Sequence, residues 1–171
     1  MVTASISILA LALTLQTAPK DAKLTDLKDG FVQVDTSAYT VQVPKSWTVS
    51  SQTPWGARTM TNKETPSELG VMTGGASQAD WKQLYQTSLY FIMREEKGKA
   101  TPYVVGKSKQ GYESMSFSVM NDADYASRRF LILKAKSGSI LALSIRIADK
   151  KEESTLLKQF QRMIDTAKIK E

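Results

Sequence analysis

The side chains that carry much of protein chemistry are missing from this sequence. Its 171 residues include neither cysteine nor histidine. The first absence removes thiolate nucleophiles, disulfides and cysteine-ligated metal centres. The second removes the commonest general base and transition-metal ligand. Any catalysis would rest on carboxylates, Lys, Tyr, Ser or Thr, and the serine-nucleophile spacings G-x-S-x-G and S-x-x-K do not occur.

The remaining candidates are binding residues. Tyr112, Ser114, Ser116 and Ser118 alternate with Glu113, Met115, Phe117 and Val119. On a strand, that pattern puts the hydroxyls on one face and mainly apolar groups on the other. Ser144 and Arg146 alternate in the same way with Leu143, Ile145 and Ile147. If the two strands pair nearby, Ser116, Ser118, Ser144 and Arg146 form a polar groove with one fixed cation, suited to a carboxylate or phosphate. The plainer alternative is a wet face, or small side chains that let a helix come close.

Trp47, Trp55 and Trp81 are candidates for an aromatic binding surface. Trp81 falls on an apolar helix stripe and is expected in the core. Trp55 follows Thr53-Pro54 and precedes Gly56, a loop–strand junction where an exposed aromatic can anchor a partner; packing is the competing role. Asn121, Asp122 and Asp124 read as a turn, because calcium needs about six to eight oxygens and the segment lacks the Gly and distal Glu of an EF-hand loop. Gly74-Gly75 precedes a helix start, where free amides can hold an anion, but no Lys-Ser or Lys-Thr follows. No catalytic residue, metal or cofactor is expected.

The elements that must position these residues follow from periodicity. Short strands are expected at Phe31–Val34, Tyr39–Val43, Trp55–Met60 and Leu69–Thr73; Pro44 ends the second, the chain then runs through Lys45–Trp47 into Thr48–Ser50, and a polar loop covers Asn62 to Ser67. Ser77-x-x-Asp80 has the form of a capping box. Trp81, Leu84, Tyr85, Leu89 and Ile92 then mark a long helix, with Gly98 placed to end it in the left-handed region. Four strands (Tyr103–Lys109, Tyr112–Met120, Arg128–Lys136 and Ser139–Ile147) are separated by tight polar turns and read as an antiparallel meander. Asp149 and Glu152 can cap a last helix whose stripe is Leu156, Leu157, Phe160, Met163, Ile164 and Ala167. The class is α+β, a central antiparallel sheet of about six to seven strands with two long helices packed on it.

Ile6–Leu15 is an apolar run too short to span a bilayer, which needs about 20 residues, but it fits the core of a signal peptide. The expected division is a signal peptide over 1–18, a polar leader over 19–29 and a single domain over 30–171. Without cysteine no lipoprotein anchor is expected. The net charge of +6 is spread over pairs such as Lys107 and Lys109, Arg128 and Arg129, and Lys150 and Lys151, with no continuous basic stripe. That distribution argues for a solvated surface, with no nucleic-acid partner and at most peripheral membrane contact.

The order of elements, together with YTVQVPKSW at the front and ILALSIRIADKKEESTLLKQFQRMIDTAKI at the end, resembles the PsbP/Mog1/DcrB-like superfamily over about residues 30–169. The resemblance implies an α/β/α sandwich and roles in protein binding and assembly, with the bacterial envelope branch fitting best. The expected function is a periplasmic or secreted, non-catalytic module with an envelope protein as partner. The alternative is a small-molecule or lipid carrier using a cavity or polar groove on the sheet. The third reading is an enzyme built on carboxylates, Lys or Tyr.

Overall fold

The computed structural model describes residues 21–54, 56–75, 79–95, 98–121 and 126–171. The expected signal peptide, Trp55, Ser77, Asp122 and Asp124 lie outside them. The described strands divide between two antiparallel sheets. The smaller has the order β1 (Lys23–Leu27), β2 (Phe31–Asp35), β3 (Tyr39–Pro44), β12 (Lys168–Ile169). The larger runs β4 (Thr48–Val49), β5 (Ala57–Asn62), β6 (Thr65–Gly74), β11 (Ile140–Ile147), β10 (Ala126–Lys134), β9 (Glu113–Asn121). Two short strands, β7 (Lys99–Ala100) and β8 (Val104–Lys107), both pair with the outer edge of β9.

Period-two patterning sorts the large sheet into two faces. Leu141, Leu143, Ile145 and Ile147 point to one side, where they share a core with Met60, Leu69, Val71 and Leu133. Helix α2 (Glu153–Thr166) seals that core with Leu156, Phe160 and Met163, each worth roughly 1.5–3 kcal/mol of burial. Val34, Val41 and Val43 of the small sheet complete it. Arg162 of α2 also lies over the Phe31 ring, 3.9 Å from its centroid, and donates to Gln42 Oε1 at 2.9 and 3.0 Å. Met115, Phe117, Val119 and Ile132 point the other way, and helix α1 (Trp81–Glu95) covers them with Trp81, Leu84, Tyr85, Leu89 and Ile92. The fold is therefore α+β, with both helices on the expected stripes and the four-strand meander β8–β9–β10–β11 in place.

Local chemistry corrects several details. The cap of α1 is Asp80 itself: its Oδ1 accepts from the Gln83 amide at 2.8 Å, and Gln83 Oε1 accepts from the Asp80 amide at 3.3 Å. This is a reciprocal capping box one turn later than Ser77-x-x-Asp80. Gly98 does not adopt positive φ. It is needed because a Cβ there would stand 2.7 Å from the Met120 carbonyl oxygen. The β8–β9 and β10–β11 turns do use positive φ, at Gly111 (85°) and Gly138 (89°). The expected loop from Asn62 to Ser67 is shorter than it reads, since β6 already begins at Thr65. Glu152 does not cap α2 with its side chain and instead accepts from the hydroxyls of Thr65 and Ser67. Lys23–Leu27, read as polar leader, is an edge strand paired with β2 from Lys23↔Asp35 to Leu27↔Phe31.

Candidate functional site

Helix α2 lies over the middle of the large sheet and leaves β9 uncovered on that side. The residues of β9 facing it are accordingly the serines, while Met115, Phe117 and Val119 face α1. Register identifies their neighbours. Ser114 stands opposite Leu133, Ser116 opposite Leu131 and Ser118 opposite Arg129. The result is a groove of about 700 Å³, floored by Ser114, Ser116 and Ser118 and walled by Leu157, Phe160 and Ile164 of α2. Thr101, Pro102 and Val104 form the far lip.

Both ends of the groove are fixed by charge. At one end Arg129 Nη2 stands 2.7 Å from Glu153 Oε1. At the other, the β8–β9 turn is fastened to the C-terminal turn of α2. Gln110 donates its side-chain amide to the Ile164 and Asp165 carbonyls, and Lys109 Nζ reaches the Asp165 carboxylate at 2.5 Å. The Gln110 bonds add a donor to carbonyls at the helix end, where that of Ile164 also accepts from the Ala167 amide at 3.3 Å. The hydrogen bond from Lys109 holds the Asp165 carboxyl below its usual range; partial burial opposes this, and the Gln161 amide adds to it.

The structure separates the residues expected to share a groove. Ser116 and Ser118 line it. Ser144 and Arg146 are on the opposite face, because Ser144 pairs with Phe130 and Phe130 with Phe117, all in the α1-side row. Arg146 pairs with Arg128 and Glu68 in that layer. The fixed cation of the groove is Arg129. The parity of β10 decides this, and with two adjacent arginines the sequence allowed either. Tyr112 adjoins the groove but uses its hydroxyl to accept from the Ile169 amide at 3.1 Å. Trp81 packs against the α1-side core as expected, and Trp47 is buried in the main core at 2% exposure.

A second polar cluster, absent from the sequence reading, lies behind the small sheet. Arg58 is 1% exposed. Its Nε donates to the Tyr39 hydroxyl at 3.0 Å, one amino group donates to the Ser50 carbonyl, and the other pairs with Asp21 at 2.7 Å. Burial pushes the Tyr39 phenol up, against the pull of Arg58. Burial acts to raise Asp21 as well, but the Gln52 amide and Arg58 outweigh it and leave its carboxyl low. Each nitrogen of the Arg58 guanidinium thus has a partner within the chain, as suits an anchor. Among the described residues no group of His, Cys, Asp or Glu could hold a metal. No described helix is long and apolar enough to cross a membrane.

Two sheets, a helix on the outer face of the larger and a closing helix beside the smaller define the PsbP/Mog1-like fold. Solved structures carry the same architecture. The Ran-binding protein Mog1p of Saccharomyces cerevisiae matches with a TM-score of 0.55 at 14% identity, over 86% of this chain and 95% of that one. Cyanobacterial PsbP (CyanoP) of Synechocystis matches at 0.60 and 11%, over 88% and 93%. LpqN, involved in cell envelope biogenesis of Mycobacterium tuberculosis, matches at 0.54 and 10%, over 88% and 91%. At these identities the likeness is one of fold. No protein-family model matches the sequence, and a comparison with curated proteins finds no match.

Proposed function

We propose that this chain is a non-catalytic protein-binding module that works outside the cytoplasm, and that its partner occupies the groove between β9 and α2. The observation that carries the reading is the groove itself: a preformed, open concavity with an apolar wall, a hydroxyl floor and ion pairs at both ends. Such a surface offers area and orientation without a reactive group. The shifted carboxylates, Asp21, Asp29, Asp35 and Asp165, are each held low with a basic partner beside them, which suits anchors and not a general acid. Export rests on the apolar run Ile6–Leu15 and a proposed signal peptide over 1–18. Solved proteins with this fold include a Ran-binding protein and a protein of cell envelope biogenesis, which accords with binding and with the envelope.

A carrier of a small molecule or lipid is the second reading. Its support is the groove volume, about 700 Å³, which lies within the usual span of ligand sites.

Affinity capture from envelope extract distinguishes the two. The full chain is used as bait beside Ser116→Trp, which fills the groove, and Ser144→Trp, which loads the opposite face. Binding of a protein by the wild type and Ser144→Trp, but not by Ser116→Trp, supports the module. Co-purification of a lipid or metabolite with no enriched protein contradicts it and favours the carrier. A Trp55→Ala bait tests the proposed aromatic anchor separately.

A further inference from the structure

The free strand edges among the described residues differ in one respect. The outer edges β4, β7 and β12 are two residues long. Edge strand β1 is guarded by Lys23 and Asp26. Short or charged edges are how proteins prevent unwanted strand pairing. β8 is different: four residues, Val104-Val105-Gly106-Lys107, all exposed, with Val104 at 67% and Val105 at 48%. It has no proline, and its pairing with β9 is regular from Val104↔Ser116 to Lys107↔Glu113.

The direction of its backbone groups follows from the turn. The Ser108 amide donates to the Tyr112 carbonyl at 2.9 Å, continuing the β8–β9 register. In an antiparallel pair every second residue bonds to the neighbour, so Val104 and Gly106 face β9. The N–H and C=O groups of Val105 and Lys107 therefore point outward, spaced to receive another strand. Charge narrows the occupant. Lys99, Lys107 and Lys109 lie along this border, against Glu113 opposite Lys107 and Asp165 bound to Lys109. With a chain charge of +6, a second copy is repelled and an acidic segment attracted.

We infer that β8 is a strand-addition site for an extended segment of the partner, apolar at its centre over Val104 and Val105 and acidic at its ends. This rests on the protein-binding reading and names the chemistry of its partner. Backbone bonds to Val105 and Lys107 supply affinity, and alternate side chains of the segment reach the groove beside Val104.

The probe is a synthetic peptide of alternating threonine and valine, roughly eight residues with two aspartates at each end, titrated into the labelled full-length chain and followed by amide NMR. The Val105 and Lys107 amides are expected to shift and to gain exchange protection. A lysine-ended peptide is expected to bind at least about tenfold more weakly. Val105→Pro removes only an outward N–H, so it keeps the β9 ladder and is expected to lose binding by at least about tenfold. If Val105→Pro does not fold, as judged by circular dichroism, Val105→Glu, which sets a negative charge against the acidic segment and is expected to lose binding by at least about tenfold, takes its place. Unmoved amides at Val105 and Lys107, equal binding of the two peptides, or sedimentation showing a wild-type dimer that Val105→Pro dissolves would each overturn the assignment. A partner captured equally by wild type and Val105→Pro sinks this inference and leaves the binding module standing. Capture of no protein by either sinks the module itself.

Discussion

The Nε of Arg58 donates to the hydroxyl of Tyr39 at 3.0 Å in a site where Arg58 is 1% and Tyr39 is 1% exposed. A guanidinium inside a protein requires all its directions to be met, and the phenol meets one of them. Tyr39→Phe keeps the ring and leaves that N–H without its acceptor. The expected loss is about 1–3 kcal/mol in urea unfolding, with little change in binding. Asp21→Asn is expected to lose about 1–2 kcal/mol, less than a fully buried pair would, because Asp21 is 38% exposed and solvent screens it.

Acid should destabilise the fold by a route its carboxylates define. Asp21, Asp29, Asp35 and Asp165 all titrate below their ordinary value of 3.8 in the folded chain. A depressed folded value means that the unfolded chain takes up protons first. The contribution is fully present above the unfolded value and is lost as pH falls through the folded ones. Urea midpoints are expected to hold steady near neutral pH and to drop below about pH 4. Asp165→Asn should make that drop shallower.

Closing helix α2 owes its position to Phe160, 5% exposed in the main core. Phe160→Ala removes its contacts and opens space beneath the helix. A loss of about 3–5 kcal/mol is expected in equilibrium unfolding.

Gly98→Ala tests the close approach between the end of α1 and β9. The added methyl would meet the Met120 carbonyl oxygen at 2.7 Å and Val119 Cγ1 at 3.0 Å. Overpacking against backbone is expected to cost about 1–3 kcal/mol by thermal or urea unfolding. A glycine needed only for left-handed φ would show no such clash.

Most of the architecture could be read from the residues because burial imposes a period. Leu141, Leu143, Ile145 and Ile147 face one core, and Leu156, Phe160 and Met163 close it, as alternation and helical spacing predict. Strand Lys23–Leu27 escaped notice because it is a mostly exposed edge, held by backbone bonds to β2 that leave little mark on side-chain type. Which strand faces register together was also hidden. Ser116 and Ser144 both alternate with apolar residues, and only the pairing through Leu131 and Phe130 shows them on opposite sides. Arg58 left a faint signal, a charge at an inward position beside Met60 in a short strand, and the long-range partners Asp21 and Tyr39 gave it meaning.

A protein partner seated along β8, the serine floor of β9 and α2 would leave a footprint in amide exchange. Hydrogen–deuterium exchange of the full chain, with and without the captured partner, tests it most directly. Slowed exchange is expected at 104–107, 114–118 and 157–165, with 57–61 and 140–146 unchanged. Protection confined to 57–61 and 140–146 would contradict it, since it would place the partner on the opposite face.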